Sequence, residues 1–292
     1  MTDHSRRNLA FVATVAAVGA GALLSGRKAV AQQSKSTWEQ IQETKTLRMA
    51  APISEPFCFK DLTNSDKPGG VKVGDVTWRG VSVNVCKELA EALGVQLQLV
   101  ETTFGNAVAG LQANQFDLMI SLDGNVKRAV AVDFVPQGLF MYGTAILART
   151  GADIATWKAI NDKKLHVAAT VGSSNEADVV HRAPDAKIER FQNINEMIAA
   201  FQAGRVDALS QSLTGVTLQS ARIPGTIVAM PTPAVLYPVT AGIRYESDPR
   251  WRNFLTTSFS YLANSGFVQK TLDEAYAYRG VDISKLQPVV TR

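Results

Sequence analysis

A short pattern that occurs twice in the chain constrains its fold most. The string AVAGLQANQFDLM at 107–119 matches MIAAFQAGRVDAL at 197–209 in its Gln, Ala and Asp positions and its apolar spacing, at a constant offset of 90 residues. Each copy predicts an amphipathic helix, a tight turn and a buried strand. Because shared secondary structure alone can produce one such match, the repeat supports two similar α/β lobes without proving a duplication.

The order of elements around each copy predicts a parallel or mixed sheet with helical crossovers. In the first half we predict strands at Leu47–Ala51, Gln96–Val100 and Phe116–Ser121, with helices around Val83–Leu93, capped by Ser82 and stopped by Gly94, and at Asn106–Asn114. In the second half we predict strands at His166–Thr170, Ile188–Phe191 and Val206–Ser210, with helices at Glu176–Arg182 and Asn195–Ala203.

Two extended segments connect the predicted lobes. They are 138–149 and 231–244, and helices at Asp248–Ala263 and Phe267–Tyr278 then rejoin the first lobe. This gives an α/β fold of two lobes joined by two hinge strands, with lobe 1 at 46–142 and 238–292 and lobe 2 at 143–237.

The N-terminus predicts an export signal. Arg6 and Arg7 precede an apolar stretch, Leu9–Leu24, which is too short for a bilayer core of about 30 Å. The stretch leads to Ala29-Val30-Ala31, a small-residue cleavage pattern, so residues 1–31 read as a signal peptide removed after Ala31. The paired arginines resemble the twin-arginine type of signal, which predicts a periplasmic protein.

Composition excludes several functional classes. The signal contains four of the 30 basic residues and one of the 26 acidic residues, so the mature chain has a net charge of about +1. That charge gives no reason to expect a nucleic-acid partner. The chain has only three histidines, and its two cysteines have no neighbouring ligand at metal-site spacing, so we expect neither a metal nor a cofactor. Cys58 and Cys86 either form one disulfide or remain two buried thiols.

A polar loop after the Phe116–Ser121 strand is the first candidate site. The chain breaks at Asp123-Gly124-Asn125, three turn formers that cannot extend a central strand. Ligands of open α/β sheets bind at the carboxyl ends of strands. Ser121, Asp123 and Arg128 therefore collect at one strand end, where Arg128 can hold a carboxylate by two hydrogen bonds or can simply tie down a solvated turn with Asp123.

From 47 to 278 the chain resembles the periplasmic solute-binding proteins of ABC importers, of the polar amino acid type. The similarity lies in the order and spacing of LRMAAPISEPFCFKD, WRGVSVNVCKELAEALG, LQANQFDLMISLDGNVKRAVAVDF, VAATVGSSNE, FQAGRVDAL and GIRYESDPRWRNFL. The resemblance implies a type II periplasmic-binding-protein fold that closes over its ligand. It also implies that Arg128 clamps the α-carboxylate of that ligand.

The same resemblance implies a second set of contacts from the other lobe. Gly172, Ser173 and Ser174 match a turn that contributes hydroxyl and N–H groups, although a capping role would also explain Ser174. Phe104 matches a pocket-lining position. Phe57 also lies near a strand end, and both rings could instead belong to the core of a lobe.

Departures from the family pattern concern the ligand's ammonium group. Ser212 occupies the position of the ammonium-binding aspartate, Ser54 replaces a stacking aromatic residue, and Asp123 stands where serine or threonine is common. A buried ammonium without a carboxylate is costly. Either Asp123 or Glu55 supplies the missing charge, or the ligand lacks an ammonium group, and the loss of both family residues favours the second alternative.

The leading hypothesis is a non-catalytic, monomeric protein that binds a small carboxylated solute and delivers it to an ABC permease. A rival is an exported enzyme of the cyclohexadienyl dehydratase sort, with Asp123 or Glu55 as general acid. A third hypothesis is a module that presents its ligand to a receptor. The sequence shows no nucleophile and base at a recognisable spacing, since His166 and His181 read as a strand residue and a helix surface residue.

Overall fold

The computed structural model describes residues 35–285, in which helices and strands alternate. The first elements are α1 (Thr37–Thr44), β1 (Thr46–Pro52), β2 (Phe59–Asp61), β3 (Gly70–Val73), β4 (Val76–Arg79), α2 (Val81–Leu93), β5 (Gln96–Thr102), α3 (Ala107–Gln112), β6 (Met119–Ile120), α4 (Val126–Ala129) and β7 (Asp133–Phe134). The next are β8 (Met141–Arg149), α5 (Trp157–Asp162), β9 (His166–Thr170), α6 (Ser174–Arg182), β10 (Lys187–Phe191), α7 (Ile194–Gln202), β11 (Ala208–Ser212), α8 (Leu213–Arg222), β12 (Thr226–Ala229), β13 (Leu236–Pro238), β14 (Ala241–Ile243), α9 (Arg250–Asn264), α10 (Phe267–Tyr278) and a 3-10 turn at Ile283–Lys285. The predicted signal at 1–31 lies outside the described residues.

The first lobe is organised around β1. Strands β1 and β5 are parallel from the Thr46–Gln96 pair to the Pro52–Thr102 pair, and β1 also bridges in parallel to Leu118. Strands β6, β14 and β7 form an antiparallel group, and β2, β4 and β3 form another. The predicted Phe116–Ser121 strand is reduced to Met119–Ile120, with Leu118 only in an isolated bridge to Met49, and its C-terminal end is set by Ser121, whose φ of 67° is a left-handed conformation that ends the extended backbone.

The second lobe is a sheet in the order β10-β9-β11-β8-β12, with β13 also beside β8. Strand β9 is parallel to β10 and β11, whereas β8 is antiparallel to β11 and β12. Successive residues of β8 alternate between two cores, since Leu147 packs with Phe201 on one face and Ile146 packs with Val167 on the other. Burial on both faces explains the nearly continuous apolar sequence of this strand.

The chain crosses between the two lobes at β8 and between β13 and β14. Strand β13 pairs with the start of β8, and β14 then returns to pair with β6 and β7 in the first lobe. These crossings are compatible with the lobe boundaries predicted at 142/143 and 237/238, which stay predictions.

The repeated helix-turn-strand pattern has the same local geometry in both lobes. The N–H of Arg48 donates to Asp117 Oδ2 at 2.7 Å, and the N–H of Asp117 donates to the Arg48 carbonyl at 2.8 Å. The N–H of His166 donates to Asp207 Oδ2 at 2.9 Å, and the N–H of Asp207 donates to the His166 carbonyl at 2.8 Å. Asp117 and Asp207 occupy the same position in the two copies of the repeat because they have the same structural role. Each joins the start of one strand to the start of its neighbour.

Of the two predicted ends of helix α2, the C-terminal one is confirmed and the N-terminal cap is wrong. Gly94 ends the helix as expected, with φ 63° and its N–H bonded to the carbonyls of Ala90 and Glu91. The residue before the helix is Gly80 and not Ser82, which lies inside the first turn with its hydroxyl 3.4 Å from that of Ser121. A Cβ on Gly80, which has φ 112°, would lie 2.3 Å from the Phe57 carbonyl oxygen, so glycine is required for this approach.

Among residues 35–285, no helix is both long and apolar enough to cross a bilayer.

Candidate functional site

A cavity of about 40 Å³ lies where the loops following β1, β5, β6 and β9 meet the C-terminal end of β11. These four loops follow the carboxyl ends of strands, as expected for a ligand site on α/β sheets. Most of the predicted site residues line it, namely Phe57, Phe104, Ser121, Asp123, Arg128, Ser173, Ser174 and Ser212. Two lobes therefore contribute side chains to one small space.

Arg128 connects the two sides of this cavity. Asn125 caps the short helix α4 by accepting a hydrogen bond from the Arg128 N–H at 2.9 Å, which holds the arginine at the loop. Its Nη1 donates to the Asp123 carbonyl at 2.7 Å and to Ser174 Oγ at 3.4 Å, and its Nη2 donates to the Gly172 carbonyl at 2.7 Å. Burial lowers the pKa of Arg128, while the Asp123 carboxylate opposes that shift. The guanidinium remains a fixed positive charge.

Asp123 is the acidic side chain of the cavity and is only 4% exposed. The Tyr142 hydroxyl donates to its Oδ2 at 2.5 Å, whereas its Oδ1 is buried without a hydrogen-bond partner. Burial raises the pKa of Asp123, and the Tyr142 bond, the nearby Ser174 hydroxyl and the charge of Arg128 offset only part of that rise. The carboxylate does not pair with Arg128, which bonds instead to the backbone carbonyl of the same aspartate. The predicted Asp123 to Arg128 tie therefore exists, but it leaves one carboxylate oxygen open.

The turn before α6 presents polar groups from the second lobe. Ser173 caps the helix by accepting from the Glu176 N–H at 3.1 Å, and Glu176 accepts from the Gly172 N–H at 2.6 Å. The capping role considered for Ser174 thus belongs to Ser173. Ser174 is 6% exposed and places its hydroxyl beside Arg128, where it can contact a bound anion.

Ser212 lies at the end of β11 and caps α8. Its Oγ accepts from the Gly215 N–H at 3.1 Å and lies 3.1 Å from the Thr214 hydroxyl. This capping role is enough to explain a serine at position 212 without invoking a ligand. The serine adds no charge to the cavity. The preceding residue, Gln211, also lines the cavity, and its Oε1 is buried without a hydrogen-bond partner.

Glu55 is the predicted site residue that the structure does not bring to the cavity. Its carboxylate pairs with Arg279 and lies 3.4 Å from Arg222, in a separate groove on the other side of the loop after β1. With both cations beside it, Glu55 is already neutralised where it stands. It therefore cannot supply a negative charge next to Arg128, and that alternative is wrong for this structure.

The two predicted aromatic residues serve the core and the cavity together. Phe57 is 5% exposed and stacks on Phe140 with ring centroids 6.0 Å apart. Phe104 is half-buried and packs on the cluster around Leu111 and Phe116. Each ring presents only part of its surface to the cavity.

Several cavity residues had no signal in the sequence analysis. They are Ile53, Tyr142, Thr170, Asn175, Ile194, Ser210, Gln211 and Val239. Tyr142 was part of a predicted extended segment, but only the register of β8 shows that its hydroxyl reaches Asp123.

The cysteines Cys58 and Cys86 are free thiols in the structure and are buried in the same core cluster. Burial raises the pKa of both thiols, so they are neutral at physiological pH. Their pairing as a disulfide stays a prediction, which thiol titration of unfolded, unreduced protein would test. Within residues 35–285, no group of three or more His, Cys, Asp or Glu side chains is arranged to hold a metal ion.

The sequence from 56 to 274 matches the model of the bacterial extracellular solute-binding proteins, family 3. The L-cystine-binding protein of Bacillus subtilis is 25% identical over 197 residues, which is 67% of this chain and 67% of that protein. A solved amino acid ABC transporter substrate-binding protein from Streptococcus pneumoniae, bound to L-arginine, is 21% identical with a TM-score of 0.72 over 83% of this chain and 98% of that one.

A further solved structure of the same fold is an ancestral protein. An ancestral amino-acid-binding protein, described as a precursor of cyclohexadienyl dehydratase, is 24% identical with a TM-score of 0.69, over 83% of this chain and 99% of that one. At this level of identity, both solved structures establish the two-lobed fold.

Proposed function

This chain belongs to family 3 of the bacterial extracellular solute-binding proteins, and we propose that it captures a small carboxylated solute between its lobes and delivers it to the permease of an ABC importer. The solute is an amino acid or a related organic acid. The mature protein acts in the periplasm, as a monomer and without catalysis, after a twin-arginine-like signal is cleaved behind Ala31.

The position of Arg128 carries this proposal. Its guanidinium is the positive charge of the cavity and contacts carbonyl or hydroxyl groups from both lobes. A carboxylate placed between the Ser173-Ser174 turn and Arg128 would receive charge-assisted hydrogen bonds from one lobe and hydroxyl contacts from the other. Such a ligand would stabilise the closed arrangement, because it binds the lobes better together than apart.

Binding is tested first by a thermal-shift screen of amino acids, keto acids, dicarboxylates and aromatic acids. For the best ligand, calorimetry on Arg128→Ala should show a loss of at least about 2 kcal/mol, because the ligand carboxylate would stay desolvated without its partner. Arg205→Ala is the matched control, since Arg205 is an exposed arginine outside the cavity that pairs with Glu189. Wild-type affinity in Arg128→Ala would refute the clamp.

Delivery to an importer needs a separate test. Deleting the gene should abolish uptake of the identified solute by cells, and re-expression of the wild-type protein should restore it. Unchanged uptake would favour a ligand-presenting sensory role.

One observation favours a second candidate, an exported dehydratase-like enzyme. Asp123 is a buried carboxyl group with a raised pKa beside Arg128, which suits a general acid. Incubation with a cyclohexadienyl substrate, followed by the absorbance of the aromatic product, tests this candidate. Product formation that Asp123→Asn abolishes would replace the binding role by catalysis.

A further inference from the structure

Helix α8 of the second lobe rests on the first lobe along one face. Thr214, Leu218 and Arg222 follow one another at intervals of four residues, so they lie on the same side of the helix. The Thr214 carbonyl accepts a buried hydrogen bond from the Tyr276 hydroxyl at 2.9 Å. Leu218 is fully buried in a core cluster whose other buried members all lie outside the second lobe. These two contacts hold α8 against the first lobe and direct Arg222 to the same side.

Glu55 is the first-lobe residue that Arg222 reaches. Arg222 Nη1 donates to Glu55 Oε2 at 3.4 Å. Arg279, which belongs to the first lobe like Glu55, donates to the same carboxylate from Nε at 3.2 Å and from Nη2, and its guanidinium lies 4.8 Å from the centre of the Phe59 ring. Arg279 therefore neutralises Glu55 within one lobe. The second arginine is not needed for that, and its bond exists only when the two lobes are together.

The bond between Glu55 and Arg222 lies outside the solute cavity. Both residues line a separate groove of about 440 Å³, which has Leu62 on its first-lobe side and Gln202 on its second-lobe side. The Arg222 side chain is 44% exposed and that of Glu55 is 8% exposed, so water reaches the arginine. Exposed ion pairs of this kind change an equilibrium by a factor of up to about 5. The bond can therefore favour one arrangement of the lobes without locking it.

We propose that Glu55 and Arg222 form an interlobe latch, an ion pair that is made when the lobes close and broken when they separate. The inference rests on the proposed function, because it assumes that the lobes close around a solute. Glu55 and Arg222 are then positioning residues, which act on the solute through the fraction of protein that is closed. Arg279 holds the Glu55 carboxylate in place in both arrangements, so closure has only to bring Arg222 to it.

The test measures the width of the groove in the protein without any solute. Nitroxide labels on Leu62→Cys and Gln202→Cys lie on opposite lobes at exposed positions, and double electron–electron resonance gives the distance between them. The thiols of Cys58 and Cys86 are buried with raised pKa values, so they should resist labelling. Treating the protein that lacks the two introduced cysteines with the same label verifies this.

The doubly labelled wild type should show mainly the short distance of the closed arrangement. Arg222→Glu should lower the ratio of short to long distances at least about 5-fold, because the ion pair is lost and a second carboxylate faces Glu55. Arg205→Glu is the matched control, since it makes the same charge change on the second lobe, where Arg205 pairs with Glu189 of its own lobe. It should leave the ratio unchanged. Raised salt should move the wild type toward Arg222→Glu.

A double variant tests the ion pair itself. Adding Glu55→Gln to Arg222→Glu frees Arg279, which also lines the groove and can pair with the carboxylate introduced at 222. The short distance should therefore return relative to Arg222→Glu alone. Arg222→Gln is a neutral second variant with a smaller expected shift, and circular dichroism of each labelled variant verifies its fold.

Four outcomes would overturn the latch. They are a wild type without the short distance, a wild-type ratio in Arg222→Glu and Arg222→Gln, an equal shift in Arg205→Glu, and no return of the short distance in the double variant. The last outcome would assign the shift to altered packing of α8. None of the four bears on whether a carboxylated solute binds, because no solute is present, and the thermal-shift screen decides that question separately.

Discussion

Two buried aspartates in the first lobe, each with an arginine nearby, are put to opposite uses. We call Asp61 and Arg79 the Asp61 pair, because they form a salt bridge, and Asp123 and Arg128 the Asp123 pair, in which the arginine bonds to the backbone carbonyl of the aspartate and not to its carboxylate. Asp61 is 1% exposed and accepts six hydrogen bonds, from Arg79, Tyr278, and the N–H and hydroxyl groups of Thr63 and Ser65. Asp123 is equally buried and accepts one, from Tyr142.

The arginines differ in the same way. Arg79 donates to Asp61 and to the carbonyls of Ser65, Lys67 and Pro68, so its bonds all serve one loop of the first lobe. Arg128 donates across the cavity to the second lobe. The Asp61 pair is closed on itself and stabilises the fold, whereas the Asp123 pair keeps an open oxygen at the place where a solute would bind.

The pKa values follow from these partners. Burial alone would raise the pKa of Asp61, but the hydrogen bonds from Thr63, Tyr278 and Arg79 outweigh it and hold the pKa well below its usual range. Asp123 has too few partners, so burial prevails and its pKa is raised. An aspartate beside an arginine thus has a lowered pKa in one place and a raised pKa in the other.

The largest expected effect comes from breaking the closed pair. Arg79→Leu leaves Asp61 buried without its cation and should lower the free energy of unfolding by about 3–5 kcal/mol, measured by urea denaturation. Arg128→Leu is the matched comparison and should cost less than Arg79→Leu, because the Asp123 carboxylate keeps its bond from Tyr142 and loses only the through-space stabilisation by the Arg128 charge. Equal losses would remove the distinction between the pairs.

The two tyrosines give a smaller, matched comparison. Tyr142→Phe removes the one donor to Asp123 and should lower the free energy of unfolding at pH 7 by about 2 kcal/mol. Tyr278→Phe removes one donor of six from Asp61 and should cost about 1 kcal/mol or less. A larger loss in Tyr278→Phe would mean that Asp61 is less well satisfied than its contacts indicate.

Removing each carboxylate charge should change stability in opposite directions. Without ligand at pH 7, Asp123→Asn should raise the free energy of unfolding by about 1 kcal/mol, since an incompletely paired buried charge is lost. Asp61→Asn should lower it, because several donors would then face a neutral amide. Thermal unfolding of both variants beside wild type measures this, and a destabilised Asp123→Asn would show that the aspartate is compensated in the free protein.

The pH dependence of those differences is the finest test. The folded pKa of Asp123 is raised, so ionising it costs stability as pH rises above the unfolded value of about 3.9 and through the folded pKa. The advantage of Asp123→Asn over wild type should therefore disappear at low pH. The folded pKa of Asp61 is lowered, so its contribution is present above about 3.9 and is lost as pH falls below that value. Asp61→Asn should accordingly be least harmful in acid, and parallel pH profiles for the two variants would contradict this account.

Sequence patterns predicted most of the fold because its elements carry local signals. Strand His166–Thr170 and helix Phe267–Tyr278 have the predicted bounds. Helix α8 and strand β12 were missed, since the Thr, Ser and Gly residues of α8 weaken its apolar periodicity and β12 is short. The Phe116–Ser121 strand was overextended at both ends, and the left-handed serine that sets its C-terminal end leaves no mark in an apolar sequence.

What the sequence by itself determined was which loops would meet. Parallel strands place their carboxyl ends at one edge of a sheet, which brings the polar residues at the ends of β9 and β11 together, whereas the loop after β6 in the other lobe was joined to them only through the family resemblance. Eight of the nine predicted site residues do line the cavity. What only the tertiary structure decided was how each charge is paired. Glu55 is neutralised by Arg222 and Arg279, which are 167 and 224 residues away in the chain, and the single bond of Asp123 comes from Tyr142 on β8. Pairing depends on distance in space and on exclusion of water, neither of which a residue's neighbours in sequence specify.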